Sequence, residues 1–255
     1  FREAIAGWIG RRFGATVDPA TMVLPLSGSR EGLFAFGQAV IDPGDPGDVA
    51  MPNPLYGIYE GSAILAGARP VFFGPGFSTP DPARVRLAFV TSPTNPEGDC
   101  LTLNDWRDLF DLADRHGWIV AADEPYSELW HGPTPPVGAA EAATALGRGW
   151  ERLVIFNSLS KRSSAAGLRS GFVAGDPALI SSFLAYRQYH GAAPSLQIQA
   201  AATRAWSDEA HVALNRESYT RKVRRAAEVL PGVAMPEAGF FLWVPVRAGE
   251  AFTKA

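Results

Sequence analysis

Short apolar runs alternate along most of this chain with segments of helical periodicity, a pattern that leaves little open besides parallel strands joined by crossover helices. The clearest unit spans Val85 to Asp123. Val85 to Thr91 reads as a buried strand and Ser92-Pro93-Thr94-Asn95-Pro96 as a turn. Thr102 predicts a helix N-cap with Asp105 as its capping-box partner, because each side chain can satisfy a backbone N–H at the other's position. Trp106, Leu109, Phe110 and Ala113 then share one helical face, Gly117 stops the helix, and Trp118 to Ala122 reads as the next strand.

A second unit runs from the strand Leu153 to Asn157 through Ser158-Leu159-Ser160-Lys161 and a Gly-containing loop to a strand at Gly171 to Ala174. Near the start, Ile5, Trp8, Ile9 and Phe13 mark an amphipathic helix, and the strand Met22 to Leu26 leads through Gly28-Ser29-Arg30-Glu31 into another. A long charged helix is expected from Asp208 to Leu230. Beyond it Phe240 to Val246 reads as an isolated strand, which suggests the beginning of a second, smaller domain.

Bulk properties narrow the function. The 255 residues are 47% hydrophobic and 19% charged, enough for a sizeable core or two domains. A formal net charge of -3 gives no electrostatic basis for nucleic acid or an anionic membrane as the main partner, so small-molecule chemistry is expected. Cys100 is the single cysteine, which excludes an intrachain disulfide, fits a reducing cytoplasm and gives no sign of a metal site. No signal peptide is visible, nor any run near the roughly 20 apolar residues that span a bilayer. Because the chain opens on Phe1 without an initiator Met, its natural start is expected to be missing.

Ligands of an open parallel sheet bind outside the carboxyl ends of its strands, so polar residues there are the ones to weigh. Four positions qualify: the Gly28-Ser29-Arg30-Glu31 stretch, Asn95, Asp123 and Lys161. Each has a structural alternative. Asp123 could cap a helix or form a turn, Asn95 could serve its turn alone, Ser29 could be an N-cap, and Lys161 with Arg162 could be a solvated basic pair.

The spacing of these residues resembles a known motif set. Ser158-Leu159-Ser160-Lys161, followed after seven residues by Arg169 and then Gly171, resembles the S-x-S-K-x(7)-R-x-G signature of aminotransferases of fold type I. Asp123-Glu124-Pro125-Tyr126 resembles their D-E-x-Y element. Ser92-Pro93-Thr94-Asn95-Pro96-Glu97-Gly98 resembles their S-P-x-N-P-T-G turn, departing at Glu97. The likeness extends over essentially the whole chain. It implies the aspartate aminotransferase-like α/β fold: a large domain over 1–206 with a mostly parallel seven-stranded sheet flanked by helices. An interdomain helix and an incomplete small α+β domain follow over 207–255. It also implies pyridoxal 5′-phosphate as cofactor, no metal and a homodimer.

The family's roles carry over to matching positions. Lys161 would hold the cofactor and act as general base and acid at the substrate Cα. Asp123 would keep the pyridine nitrogen protonated, which sustains the electron sink. Asn95 and Tyr126 would hydrogen-bond the ring's phenolic oxygen. Tyr56 would stack on the ring, with loop packing as its alternative. Arg169, Ser158, Ser29 and the helix beginning near Arg30 would receive the phosphate dianion.

Runs such as Asn53-Pro54-Leu55-Tyr56-Gly57-Ile58-Tyr59-Glu60-Gly61 and Tyr189-His190-Gly191-Ala192-Ala193 look like bacterial succinyldiaminopimelate aminotransferases. That subgroup moves an amino group from glutamate to N-succinyl-2-amino-6-oxopimelate. Departures occur where Ser164-Ala165-Ala166 replaces Asn-Val-Pro and Pro125 replaces a common Cys. The regions after Phe73 and near Leu230 are shorter than in relatives. The family's substrate-carboxylate arginine and N-terminal tyrosine have no counterpart here. Alternatives are another fold-type-I enzyme, such as a different aminotransferase or a C–S β-lyase, and a non-catalytic regulator domain that binds the cofactor.

Overall fold

The computed structural model describes residues 1–230, 232–244, 246, 249 and 253. Seven strands form one sheet: β1 (Val23–Leu26), β2 (Asp48–Met51), β3 (Arg69–Phe72), β4 (Val85–Thr91), β5 (Ile119–Asp123), β6 (Leu153–Ser158) and β7 (Gly171–Gly175). Their spatial order is β1-β7-β6-β5-β4-β2-β3. Strands β6, β5, β4, β2 and β3 run parallel, while β7 lies antiparallel to both its neighbours, β6 and β1.

Side chains alternate across this sheet and divide the core into two layers. Val85, Ala88 and Val90 of β4 and Leu153 and Ile155 of β6 face one layer. That layer is closed by α1 (Arg2–Phe13), α4 (Leu103–His116), α5 (Ala139–Ala145) and α8 (Leu196–Trp206). Leu87, Phe89, Val154 and Phe156 face the other, closed by α2 (Ser29–Val40), α3 (Ile58–Leu65) and α7 (Pro177–Arg187). Trp8 anchors the first layer, with its ring centroid 5.4 Å from Phe13, 5.9 Å from Phe172 and 4.8 Å from Trp206. A short α6 (Leu159–Arg162) follows β6, and a long α9 (Ala210–Val229) follows α8.

Local chemistry sets the element ends. Thr102 and Asp105 form the capping box expected of them, and Gly117 closes α4 in the left-handed conformation at φ 76°. The Trp118 N–H turns back to the Ala113 carbonyl at 2.9 Å, so β5 begins one residue later than the sequence suggested. The expected strand at Phe240 to Val246 does not form over 240–244, and position 245 lies outside the described residues. A strand needs a hydrogen-bonding partner, and this segment has none among the described residues. The nearest pairing is an isolated bridge of Trp130 with Ala238, and Phe240 is instead stacked on Tyr219 at 5.2 Å.

Candidate active site

A cavity of about 450 Å³ opens at the carboxyl ends of β4, β5 and β6, against the first turn of α2. All nine side chains singled out from the sequence line it. Five sit on or just after strands: Asn95 beyond β4, Asp123 and Tyr126 at and beyond β5, Ser158 and Lys161 at and beyond β6. Tyr56 enters ahead of α3, Ser29 and Arg30 from the start of α2, and Arg169 from the approach to β7.

Asp123 ends β5 and is buried, yet its two oxygens differ. Oδ2 accepts a hydrogen bond from the Tyr59 hydroxyl at 2.8 Å, whereas Oδ1 has no hydrogen-bond partner among the described residues. Burial pushes this carboxyl up to about 7, against the opposing hydrogen bond from Tyr59. Among the described residues no backbone N–H donates to either oxygen, so Asp123 neither caps a helix nor closes a turn. Tyr59 is fixed flat against Phe89, with centroids 4.9 Å apart and planes 14° from parallel. Tyr56 meets Tyr59 edge-on at 5.9 Å and also lines the cavity.

Asn95 Nδ2 points to the Tyr126 hydroxyl at 3.4 Å. Burial, and then the nearby Asp123 charge, push the Tyr126 phenol above its ordinary range, so it stays a neutral donor. Behind them the Asn157 amide donates to the Glu124 carbonyl at 2.7 Å and the Ser127 hydroxyl at 3.0 Å, which ties the end of β6 to the turn carrying Tyr126.

Lys161 and Arg162 part company, which ends the solvated-pair reading. Arg162 is fully buried, pairs with Glu209 at 2.9 Å and lies 4.8 Å from the Trp206 ring centroid. The Lys161 amine faces the cavity, 5.0 Å from the Phe240 ring centroid.

Across the cavity, Gly28 rather than Ser29 is the N-cap of α2, with no side-chain cap, so the hydroxyl of Ser29 is not spent there. Gly28 has φ +87°, and a Cβ on it would collide with the Arg169 guanidinium. That guanidinium is aimed by hydrogen bonds to the Ala166 carbonyl at 2.9 Å and the Ser27 carbonyl at 3.3 Å. A cation, free helix N–H groups and the Ser29 and Ser158 hydroxyls thus surround one end of the cavity, a seat for a dianion.

The sequence reading gave no role to Tyr59, Ser160, Thr91 or Phe241, which also line the cavity. Tyr59 carried one usable signal: it lies on the buried face of α3, and a buried tyrosine hydroxyl needs a partner. A larger cavity, about 610 Å³, lies between the start of α1, β1, α7 and α8. Its buried cation, Arg187, is engaged by Glu31.

Taken together, the cavity at the strand ends offers an amine, an anion seat and a buried carboxylate oxygen waiting for an N–H donor. A planar aromatic ring with an aldehyde, a ring N–H and a phosphate matches those demands. Among the described residues, no cluster of His, Cys, Asp and Glu could hold a metal, and no helix is long and apolar enough to cross a membrane.

The family model described as aminotransferase class I and II matches residues 1–255. The 4-dedimethylamino-4-oxo-anhydrotetracycline transaminase of Streptomyces rimosus is 39% identical over 95% of this chain and 67% of its own length. An LL-diaminopimelate aminotransferase of Dehalococcoides mccartyi is 33% identical over all of this chain and 68% of its own. The crystal structure of an aminotransferase from Neisseria meningitidis superposes with a TM-score of 0.89 at 44% identity, covering 96% of this chain and 66% of that one. The chain spans about two thirds of the length of these relatives.

Proposed function

The chain belongs to the class I and II aminotransferases, a pyridoxal-5′-phosphate-dependent family, and on that premise we propose that it transfers the amino group of glutamate to a keto or semialdehyde acceptor, N-succinyl-2-amino-6-oxopimelate. The observation that carries the cofactor's place is the buried, partnerless Oδ1 of Asp123. An unpaired buried carboxylate oxygen is costly, and a ring N–H is the donor that would satisfy it.

Bound in the cavity, pyridoxal 5′-phosphate supplies an aldehyde that takes up amino groups and a ring that draws electron density from the substrate Cα. The chain's residues do the rest. Asp123 would hold the ring-nitrogen proton through Oδ1, with Tyr59 fixing Oδ2. Lys161 would anchor the cofactor through its amine and move the proton at the substrate Cα. Tyr56 would cover a ring face, Asn95 and Tyr126 would donate to its phenolic oxygen, and Arg169, Ser29, Ser158 and the α2 N–H groups beside Arg30 would hold the phosphate.

The acceptor rests on the subgroup motifs, and an LL-diaminopimelate aminotransferase among the relatives supports a diaminopimelate-type substrate. The reading includes a cytoplasmic homodimer, with 1–206 as cofactor domain and 207–255 as interdomain helix and start of a small domain. The test is an assay of the intact protein, loaded with cofactor, with glutamate and a panel of keto and semialdehyde acceptors. 2-Oxoglutarate should form with N-succinyl-2-amino-6-oxopimelate. Transfer only to another acceptor overturns that choice of substrate. No transfer to any acceptor, or pyruvate and ammonia released from a cysteine conjugate without a keto acid, overturns transamination.

A further inference from the structure

Glu31 stands at the third position of α2 and does not line the cavity. Its Oε1 accepts from the Ser27 backbone N–H at 2.9 Å. Arg187, at the end of α7, grips the same carboxylate with both arms, Nη1 to Oε2 at 2.7 Å and Nη2 to Oε1 at 3.0 Å. This is the two-bond fork that fixes orientation as well as distance.

The Ser27 backbone is thereby held at both ends. Its N–H goes to Glu31, and its carbonyl accepts from Arg169. Its hydroxyl and Nη2 of Arg187 both donate to the Ala192 carbonyl, each at 3.2 Å. Gly191, at φ +98°, passes so close to Arg187 that a Cβ there would stand 2.8 Å from Nη1. Arg187 is thus sealed under its own loop, with its side chain 6% exposed.

The clamp matters because the next residue, Gly28, is conformationally free. Left to itself, a glycine at the N-cap would let the first N–H groups of α2 swing, and an anion is bound well only when they converge. We propose that Glu31 and Arg187 are a positioning pair for cofactor binding: by fixing Ser27, they aim the opening N–H groups of α2 and the Arg169 guanidinium at the cofactor phosphate. The inference rests on the cofactor reading above.

The test separates phosphate from ring. Cofactor-free intact protein is titrated with pyridoxal 5′-phosphate and, separately, with pyridoxal, which lacks the phosphate, following tryptophan fluorescence. For Glu31→Gln and Arg187→Gln, the Kd of the phosphorylated compound rises about tenfold, the size of one lost charge-assisted hydrogen bond, while that of pyridoxal holds within about twofold. The double variant loses little more than either single one, because the two residues act as a unit. Equal weakening of both compounds, or strictly additive losses, overturns the pairing. Should Arg187→Gln fail to fold by circular dichroism, Glu31→Gln alone decides by the same ratio. Unmodified protein that takes up neither compound overturns the cofactor reading, and this inference with it.

Discussion

The Tyr59 hydroxyl donates to Oδ2 of Asp123 over 2.8 Å and leaves Oδ1 of the same carboxylate buried and unpartnered. The arrangement divides one side chain into a fixed half and a working half. Tyr59→Phe keeps the ring on Phe89 and deletes only the donor. Because that hydrogen bond opposes the effect of burial, its loss moves the Asp123 carboxyl further above about 7. The acid limb of the kcat profile should then shift to higher pH, and kcat should fall about tenfold, as for one hydrogen bond to a charged group. An acid limb that does not move would show that Tyr59 has no influence on Asp123.

Lys161 and Asp123 should fail in different ways. Borohydride reduction followed by digestion should place a pyridoxyl label on Lys161, and Lys161→Ala should lose both the label and about 10² to 10⁴ in rate. Asp123→Asn should still take the label but lose about 10² to 10³ in kcat, the scale of a removed preorganised charge. A label on another lysine would refute the assignment.

The cofactor-free protein should be less stable at neutral than at mildly acid pH. Burial raises Asp123 to about 7 and its neighbour Glu124 to about 8. Below the ordinary carboxylate range both states of the chain hold these protons, so nothing is lost. As pH climbs, the unfolded chain releases protons that the folded chain retains, so stability falls until both groups ionise in the folded state as well. Thermal melts should give a lower Tm at about pH 8 than at about pH 5, with a shallower slope for Asp123→Asn. A Tm that rises over that interval contradicts the prediction.

Gly28→Ala should separate cofactor binding from folding. The residue sits at φ +87°, and the added Cβ meets the Arg169 guanidinium. The backbone cost is about 1–3 kcal/mol, whereas the displaced guanidinium loses its aim at the phosphate. Equilibrium dialysis should show cofactor affinity falling by more than the melt implies. An unchanged affinity would remove Arg169 from the anion seat.

Legibility followed sequence distance. The strand at Val85–Thr91, the box at Thr102 and Asp105, and the Lys161 and Arg169 spacing each depend on neighbours, and each reads from the chain. The Tyr59 partnership with Asp123 joins residues 64 apart on different elements, and no local rule links them. Phe240 to Val246 misled for a related reason. Its aromatic and β-branched composition favours a strand, but Phe240 and Phe241 meet aromatic rings rather than a neighbouring backbone, with Phe240 against Tyr219 and both against Tyr126. Arg162 looked like half of a basic patch because its burial against Trp206 and Glu209 is decided elsewhere in the chain.

Strand β7 runs against β6, so the backbone leaves one strand and enters the next on the same rim, and 159–170 carries both Lys161 and Arg169. Covalent anchor and anion hook therefore travel as one cassette. Transplanting 158–171 onto a sheet of like order would import both at once, whereas the carboxylate must be recruited from an independent strand. A single inserted residue between them would break the cassette without touching either chemistry.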